Sequence, residues 1–353
     1  MTFKKLNILI TGAGAPGIKG TIYSLKNNFD GREIKIYGTD IDQNAVGKYL
    51  CDVFFKISPA NQKENYLSDL MEICLSNNIQ VIIPQNTMEL TILNENRFEF
   101  YKHNIKIVLA SEKMIDVANN KYELMLECER LGIPVGKFFL VNDSVNLLNS
   151  AKNLGWPEKK VVVKPPVSNG MRGVRIISEQ LNRKKMFFEN KPNSLITTMD
   201  DLLSILGEKF PELIVTEFLP GPEYSVDVLR TSQKTLVIPR IRHKIRSGIT
   251  FFGEVINHGE IIEYSKKISS KLKMFNCFGF QFKLDENDVP KILESNPRVQ
   301  GSMVMSTFAG ANIIYSAVKN ILDEEVPDFK VEWGTKFNRY WGGVGTNNSI
   351  FYF

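Results

Sequence analysis

The sequence holds only four cysteines, Cys51, Cys74, Cys128 and Cys277, and no two of them form a Cys-x-x-Cys pair. That spacing argues against a zinc ribbon or a disulfide framework and suits a reducing interior. Long apolar runs are also missing. The stretch Leu6 to Ile10 breaks at Thr11-Gly12, so Lys4-Lys5 and the residues after it are too short for a signal peptide. No segment approaches the roughly 20 apolar residues of a membrane span. These absences predict a cytoplasmic chain with no membrane partner. The formal charge is a modest +5, and the basic residues are dispersed apart from Arg240, Arg242, His243, Lys244 and Arg246. Without a long basic run interleaved with aromatics, nucleic acid is not an expected partner. No internal repeat or low-complexity segment is present.

What is there is the composition of a globular protein, 43% apolar and 24% charged, on 353 residues, enough for two or three domains. Up to about residue 110 the pattern alternates strand and helix, predicting strands at Leu6–Thr11, Ile34–Thr39, Val53–Ile57, Val81–Ile83 and Ile105–Leu109. Such alternation implies a doubly wound parallel sheet. Helices are expected over Ser111–Leu131, Thr198–Phe210 and Asn312–Leu322, and an irregular loop over Asn190–Thr197. Strands at Lys160–Pro166, Arg175–Ile177, Leu213–Glu217, Tyr224–Thr231, Thr235–Ile241 and Phe278–Lys283 indicate a second, α+β portion with an antiparallel sheet.

Several motifs in this frame carry chemistry. Gly12-Ala13-Gly14-Ala15-Pro16-Gly17, with Asp40 closing the next strand, has the spacing of a dinucleotide fingerprint. It reads equally as the glycine turn of any such sheet, and Pro16 removes one N–H from the helix start that would cradle a pyrophosphate. Lys164 ends an apolar strand ahead of the glycine-rich loop Ser168-Asn169-Gly170-Met171-Arg172-Gly173. A fixed cation beside backbone N–H groups of residues 169–173, with Arg172 adding charge, suits a polyphosphate; the alternative is a surface hairpin tip. Around Glu217-Phe218-Leu219-Pro220-Gly221-Pro222-Glu223, backbone groups can meet an adenine edge and Glu223 a ribose, or the stretch is an ordinary turn. Lys121 reads locally as a solvated helix lysine.

The most informative stretch is Gly279-Phe280-Gln281-Phe282 followed by Glu294-Ser295-Asn296-Pro297-Arg298. A hairpin turning at Asp285–Asp288 would bring Gln281, Glu294 and Asn296 to one side of a sheet. Side-chain oxygens of this kind suit a hard divalent ion holding nucleotide phosphates, with Arg298 in reach of the same phosphates. The basic cluster at Arg240, Arg242 and His243 reads as a clamp for a carboxylate or a transferred phosphate, or else as a solvated strand edge. The turn Arg246–Thr250 and Gly301-Ser302-Met303 would border that acceptor site.

Taken in order, these pieces resemble an ATP-grasp enzyme, and in particular the synthetase unit of the carbamoyl-phosphate synthase large subunit. The resemblance runs from the opening strand-turn-helix to about residue 322, and Ile82-Ile83-Pro84 with Glu89-Leu90 resembles the end of that branch's preceding domain. It implies a pre-ATP-grasp domain at 1–112, a small lobe with lid loop at 113–215 and a large lobe with the metal site at 216–353. It implies ATP with two Mg²⁺ ions, for which Mn²⁺ can substitute, held by Gln281, Glu294 and Asn296. By the same likeness Lys121 and Lys164 contact phosphates, and Ser168, Gly170, Arg172 and Gly173 belong to the lid. Glu217, Phe218 and Leu219 meet adenine, Glu223 meets ribose, and Arg298 and Lys164 act on the transferring phosphoryl group, while Arg240 and Arg242, read from the basic cluster itself, would act on the acceptor. The implied activity is carboxylate-amine ligation through an acyl phosphate. Met171 and Arg172 depart from the small residues expected in such a lid, and no glutamine-hydrolysing Cys/His arrangement is present. A phosphotransferase that stops at the phosphorylated acceptor, a nucleotide-binding regulatory protein and a Rossmann dehydrogenase stand as the rival functions. The apolar end Ser349–Phe353 would dock on its own domain or on a second copy in a homodimer.

Overall fold

Strands β1 (Leu6–Ile10), β2 (Ile34–Asp40), β3 (Val53–Lys56), β4 (Val81–Ile83) and β5 (Lys106–Ile107) form one parallel sheet in the order β3-β2-β1-β4-β5. β1 and β4 sit near its centre with Ile8, Leu9, Ile10, Val81, Ile82 and Ile83 all fully buried. Continuous burial on both faces is why these strands read as unbroken apolar runs. The computed structural model describes residues 3–110, 114–168, 170–189, 195–347 and 349–352.

A second sheet holds β6 (Phe138–Asp143), β7 (Val161–Lys164), β8 (Arg175–Ile177), β9 (Ile196–Thr197) and β10 (Lys209–Glu217), ordered β6-β10-β7-β8-β9. The third sheet is built from β11 (Glu223–Arg230), β12 (Thr235–Arg246), β13 (Ile249–Val255), β14 (Asn276–Leu284), β15 (Pro290–Asn296) and β16 (Lys336–Asn338), in the order β15-β14-β11-β12-β13-β16. Its β11–β12, β12–β13 and β13–β16 pairs are antiparallel. A separate hairpin, β17 (Val344–Asn347) with β18 (Ser349–Tyr352), ends the chain. The parallel N-terminal sheet and the antiparallel sheet that follows are the mixed α/β architecture expected from the sequence.

The chain forms two compact units. One comprises Met1–Asn119, Pro222–Phe282 and Glu294–Phe353; the other comprises Asn120–Gly221 and Lys283–Leu293. The residues before 112 thus fall in the first unit with most of those after 222, whereas the residues on both sides of the expected boundary at 215 fall together in the second.

Local differences from the sequence reading have physical causes. The helix expected over Ser111–Leu131 is two, Ile115–Asn119 and Lys121–Arg130, because the Asn120 side chain accepts from the N–H groups of Tyr122 and Glu123 and starts the second one afresh; residues 111–113 lie outside the described residues. The helix expected to reach Phe210 stops at Leu206, where Gly207 takes φ +71°, and Lys209 opens β10. Of the loop expected at Asn190–Thr197, Ile196 and Thr197 form β9 and pair with β8, while 190–194 lie outside the described residues. The helix Gly259–Lys271 and strand β13 had not been anticipated. All four cysteines are free thiols, and burial pushes Cys51, Cys74 and Cys128 each up to about 12.

Candidate active site

In β14 the burial alternates as the sequence suggests: Phe280, Phe282 and Leu284 are buried, while Gln281 and Lys283 are half-buried. A turn at residues 285–289 joins it to β15, with the Asp285 carboxylate accepting from the Asn287 and Val289 N–H groups. Along β15, Pro290 and Ile292 are buried, but from Glu294 the same parity comes out of the core and Ser295 turns in instead. Glu294 and Asn296 therefore share one half-buried face.

The trio lies in one compact unit, where Asn296 is tied to Glu294 and Arg298, and Gln281 to Arg242. The Asn296 amide donates to Glu294 Oε1 at 3.3 Å, and Arg298 Nη2 donates to Asn296 Oδ1 at 3.3 Å. Arg242 Nη1 donates to Gln281 Oε1 at 3.4 Å and also to the Glu223 carboxylate. Burial pulls the Arg298 guanidinium below its ordinary range, opposed by the charges of Glu294 and Glu89. Arg242 is lowered for the same reason and opposed chiefly by Glu223. Among the described residues no cluster of three or more His, Cys, Asp or Glu forms a metal site, so Glu294 is the trio's single carboxylate beside two amide oxygens. An all-oxygen set with so little charge fits Mg²⁺, which keeps waters and shares its coordination with substrate phosphates.

The expected acceptor clamp divides. Arg242 is held on all sides, by Glu223, by Gln281, by Thr250 Oγ1 at 3.0 Å and by the Gly248 carbonyl at 2.5 Å. Arg240 is fully buried, its Nη2 bonded to Asp227 Oδ1 at 2.6 Å while Ser306 donates to the other oxygen of that carboxylate at 2.6 Å. Gln300, which the sequence reading did not single out, accepts from Arg240 at 3.4 Å and donates to the Val226 carbonyl at 3.2 Å. A Cβ on Gly279 would fall 1.3 Å from the Gln300 amide nitrogen, so glycine at 279 makes the space Gln300 occupies. His243 stacks on Phe252 with ring centroids 4.8 Å apart, and its side chain is 37% exposed.

Arg298 gains a further hold from the N-terminal sheet's side of the same unit. Its Nε donates to Thr87 Oγ1 at 3.3 Å. Thr87 sits in the turn after β4, which the buried Glu89 carboxylate ties down by accepting from Thr11, Tyr66 and the N–H groups of Gln85 and Asn86 at 2.5 to 3.1 Å. Burial pushes Glu89 up from the usual carboxylate range despite those four bonds. The Gly12–Gly17 turn is braced differently from a dinucleotide site. Asp40 Oδ2 accepts from the Gly14 N–H at 2.7 Å and Oδ1 from the Asp42 N–H at 3.0 Å, and the Gly17 backbone abuts that of Gly301.

The second unit holds the remaining expected residues. Lys121 opens its helix, is 6% exposed, and donates to Ser168 Oγ at 3.3 Å. Lys164, 7% exposed at the end of β7, donates to the Leu293 carbonyl at 3.4 Å. Gly170 and Gly173 take φ of +59° and +75°, and a Cβ at 173 would also strike Pro165; Arg172 is exposed and Asn169 lies outside the described residues. Glu217 ends β10 and accepts from the Lys137 N–H at 3.1 Å, Leu219 is buried, and Phe218 lies under the amines of Lys160 and Lys283.

Comparison with known proteins bears on both parts of the chain. Residues 8–108 match the family described as PylC-like, N-terminal domain, and residues 209–339 match that described as ATP-grasp in the biosynthetic pathway with Ter operon. The carbamoyl phosphate synthase large chain of Clostridium acetobutylicum is 23% identical over 234 residues, and that of Pyrococcus furiosus 23% over 233; each match covers 63% of this chain and 20% of the relative. The matched region thus spans about a fifth of these curated relatives. The N5-carboxyaminoimidazole synthetase of Staphylococcus aureus complexed with ADP superposes with a TM-score of 0.67 at 16% identity, covering 94% of this chain and 81% of that one. Biotin carboxylase of Campylobacter jejuni, as a β,γ-ATP complex, gives 0.67 at 18%, covering 92% and 73%. At these identities the structural likeness shows the fold. Among the described residues no helix is long and apolar enough to cross a membrane.

Proposed function

We propose that this chain, which carries a PylC-like N-terminal domain and an ATP-grasp domain, is an ATP-dependent ligase joining a small carboxylic acid to an amine or ammonia, with release of ADP and phosphate. The observation that carries the reading is Glu294 bonded to the Asn296 amide, with Arg298 on the Asn296 oxygen and Arg242 on the Gln281 oxygen, all in one compact unit. A degenerate nucleotide-binding domain has no need of that set, and Asp40 bonded to Gly14 gives little support to a dehydrogenase.

A free carboxylate is a poor electrophile because its oxygens share a full negative charge. Attack of a carboxylate oxygen on the γ-phosphorus breaks the bond to ADP and yields an acyl phosphate. The amine then forms the C–N bond, phosphate leaves with the C–O electron pair, and the nitrogen gives up a proton. The first step asks the protein mainly for positioning and charge neutralisation. Magnesium ions held by Glu294, Gln281 and Asn296 supply neutralisation of the β- and γ-phosphates when bound. Arg298 stabilises charge on the transferring phosphoryl group, while Lys121 and Lys164 hold phosphates. The 168–173 loop covers them and excludes water. Glu217, Phe218 and Leu219 take the adenine. Glu223, fixed by Arg242, takes the ribose. Arg240, with its charge neutralised by Asp227 inside the core, is assigned a positioning role behind β11 and β12 rather than contact with the acceptor.

The test is ADP release measured over a panel of carboxylic acids crossed with amines and ammonia. ADP formed only when an acid and an amine are both present supports ligation. Stoichiometric ADP release and a stable phosphorylated product with acid alone would assign the chain to the phosphotransferases instead.

A further inference from the structure

The unit that carries the Glu294 cluster also holds an open groove of about 340 Å³. Its floor is apolar and aromatic, formed by Ile18 and Tyr23 of the first helix, Val304 and Phe308 of the helix Val304–Phe308, and Phe337 of β16. The last part of the chain closes one side, with Tyr352 anchored by its hydroxyl to the Tyr49 carbonyl at 2.5 Å. None of the residues used in the ligase reading lines it.

The rim carries charge of one sign. Lys19 and Arg339 line the groove, and among the described residues no Asp or Glu does; the first turn of the helix that begins at Ile18 has no acidic residue either. Arg339 donates from Nε to the Thr250 carbonyl at 3.2 Å, from Nη1 to Pro16 at 3.1 Å and from Nη2 to Gly301 at 3.3 Å. All three acceptors are neutral backbone oxygens, so the guanidinium is fixed in place without its charge being neutralised. Among the described residues three of its five N–H groups are used, which leaves two for another acceptor. Lys19 extends over the Tyr340 ring at 5.8 Å.

From the apolar floor, the aromatic walls and the uncompensated cations, we infer that this groove is a second ligand site, which binds a small free carboxylate bearing an aromatic or branched alkyl body. The body replaces water on the floor, which supplies most of the affinity. The carboxylate meets Arg339, whose planar fork is already oriented, and Lys19 across the mouth. The inference stands on its own residues and does not depend on the ligase reading.

Calorimetric titration of the full chain with 4-phenylbutyrate and with neutral 4-phenylbutan-1-ol, both without ATP or magnesium, tests it. The acid should bind saturably and about tenfold more tightly than the alcohol, the difference of one charge-assisted contact. Lys19→Glu changes an exposed side chain and should weaken the acid about threefold to fivefold while leaving the alcohol unchanged. Val46→Trp, at a groove-lining position 38% exposed, should place an indole in the groove and abolish binding of both. The proposal is overturned if neither probe saturates, if acid and alcohol bind alike, if Lys19→Glu leaves the acid's affinity unchanged, or if Val46→Trp leaves binding intact.

Discussion

Arg298 shows how much of a side chain's setting is fixed by residues distant in sequence. Its position after Asn-Pro marks it as a phosphate ligand by resemblance, yet its Nε is held by Thr87, 211 residues earlier. Thr87 in turn depends on Glu89, a buried carboxylate whose four bonds fix the turn after β4. If that contact aims the guanidinium, Thr87→Val, nearly equal in shape, should lower the ligation kcat about tenfold, the scale of one hydrogen bond to a charged group. The KM for ATP and the thermal midpoint should change little. A proportional loss of stability without a kcat effect would make Thr87 structural only. Residue pairs were the least legible level in the sequence. Gln281, Glu294 and Asn296 were readable as oxygen donors from strand alternation and family likeness, whereas Arg240 and Arg242 looked alike and proved different. Arg240 sits opposite Ser225 on β11 and meets Asp227 within the core, while Arg242 reaches Glu223 and Gln281. A strand sequence gives the parity of a side chain but not the partner waiting for it.

At the scale of elements, the parallel sheet was legible because its strands are buried on both faces and separated by helices of 3.6 periodicity. The hairpin of β14 and β15 was legible through the Asp285–Asp288 turn and the alternation of Phe280, Gln281 and Phe282. Helix Gly259–Lys271 was missed because it buries only Ile261, Ser265, Ile268 and Ser269; two serines on the core face weaken the apolar stripe on which such readings rest. The stretch Asn119–Glu123 reads from its sequence as the start or interruption of a helix, and the Asn120 cap makes it the start of the helix Lys121–Arg130. Gly279 belongs to this scale as well, since it governs how closely β14 admits the Gln300 side chain. Gly279→Ala should displace Gln300 from the Val226 carbonyl and from Arg240, and should cost about 1–3 kcal/mol in urea unfolding, the usual penalty for overpacking. A variant as stable as the parent would show that Gln300 has room to move.

For the molecule as a whole, the two compact units share out the expected nucleotide residues. Lys121, Lys164, Glu217, Phe218 and Leu219 fall in one; Glu223, Gln281, Glu294, Asn296 and Arg298 fall in the other. No single element contains the functional set, so the sequence order of motifs carried more information than any motif alone. That order was visible because each piece keeps its place between recognisable strands. The acid and the amine were not legible, because the groups that would select them are ordinary arginines, glycines and turns whose meaning comes from packing.

The account stands on Glu294 as the one carboxylate of the magnesium set. The most direct test is magnesium-dependent ADP release by Glu294→Ala, compared with the parent chain at equal folded concentration, once the acid and amine panel has identified a substrate pair. Loss of an anionic metal ligand should lower turnover by at least about a hundredfold, the equivalent of several kcal/mol in transition-state stabilisation, with unfolding unchanged. Turnover within a few-fold of the parent, still dependent on magnesium, would contradict the assignment of the site and the ligase mechanism built on it.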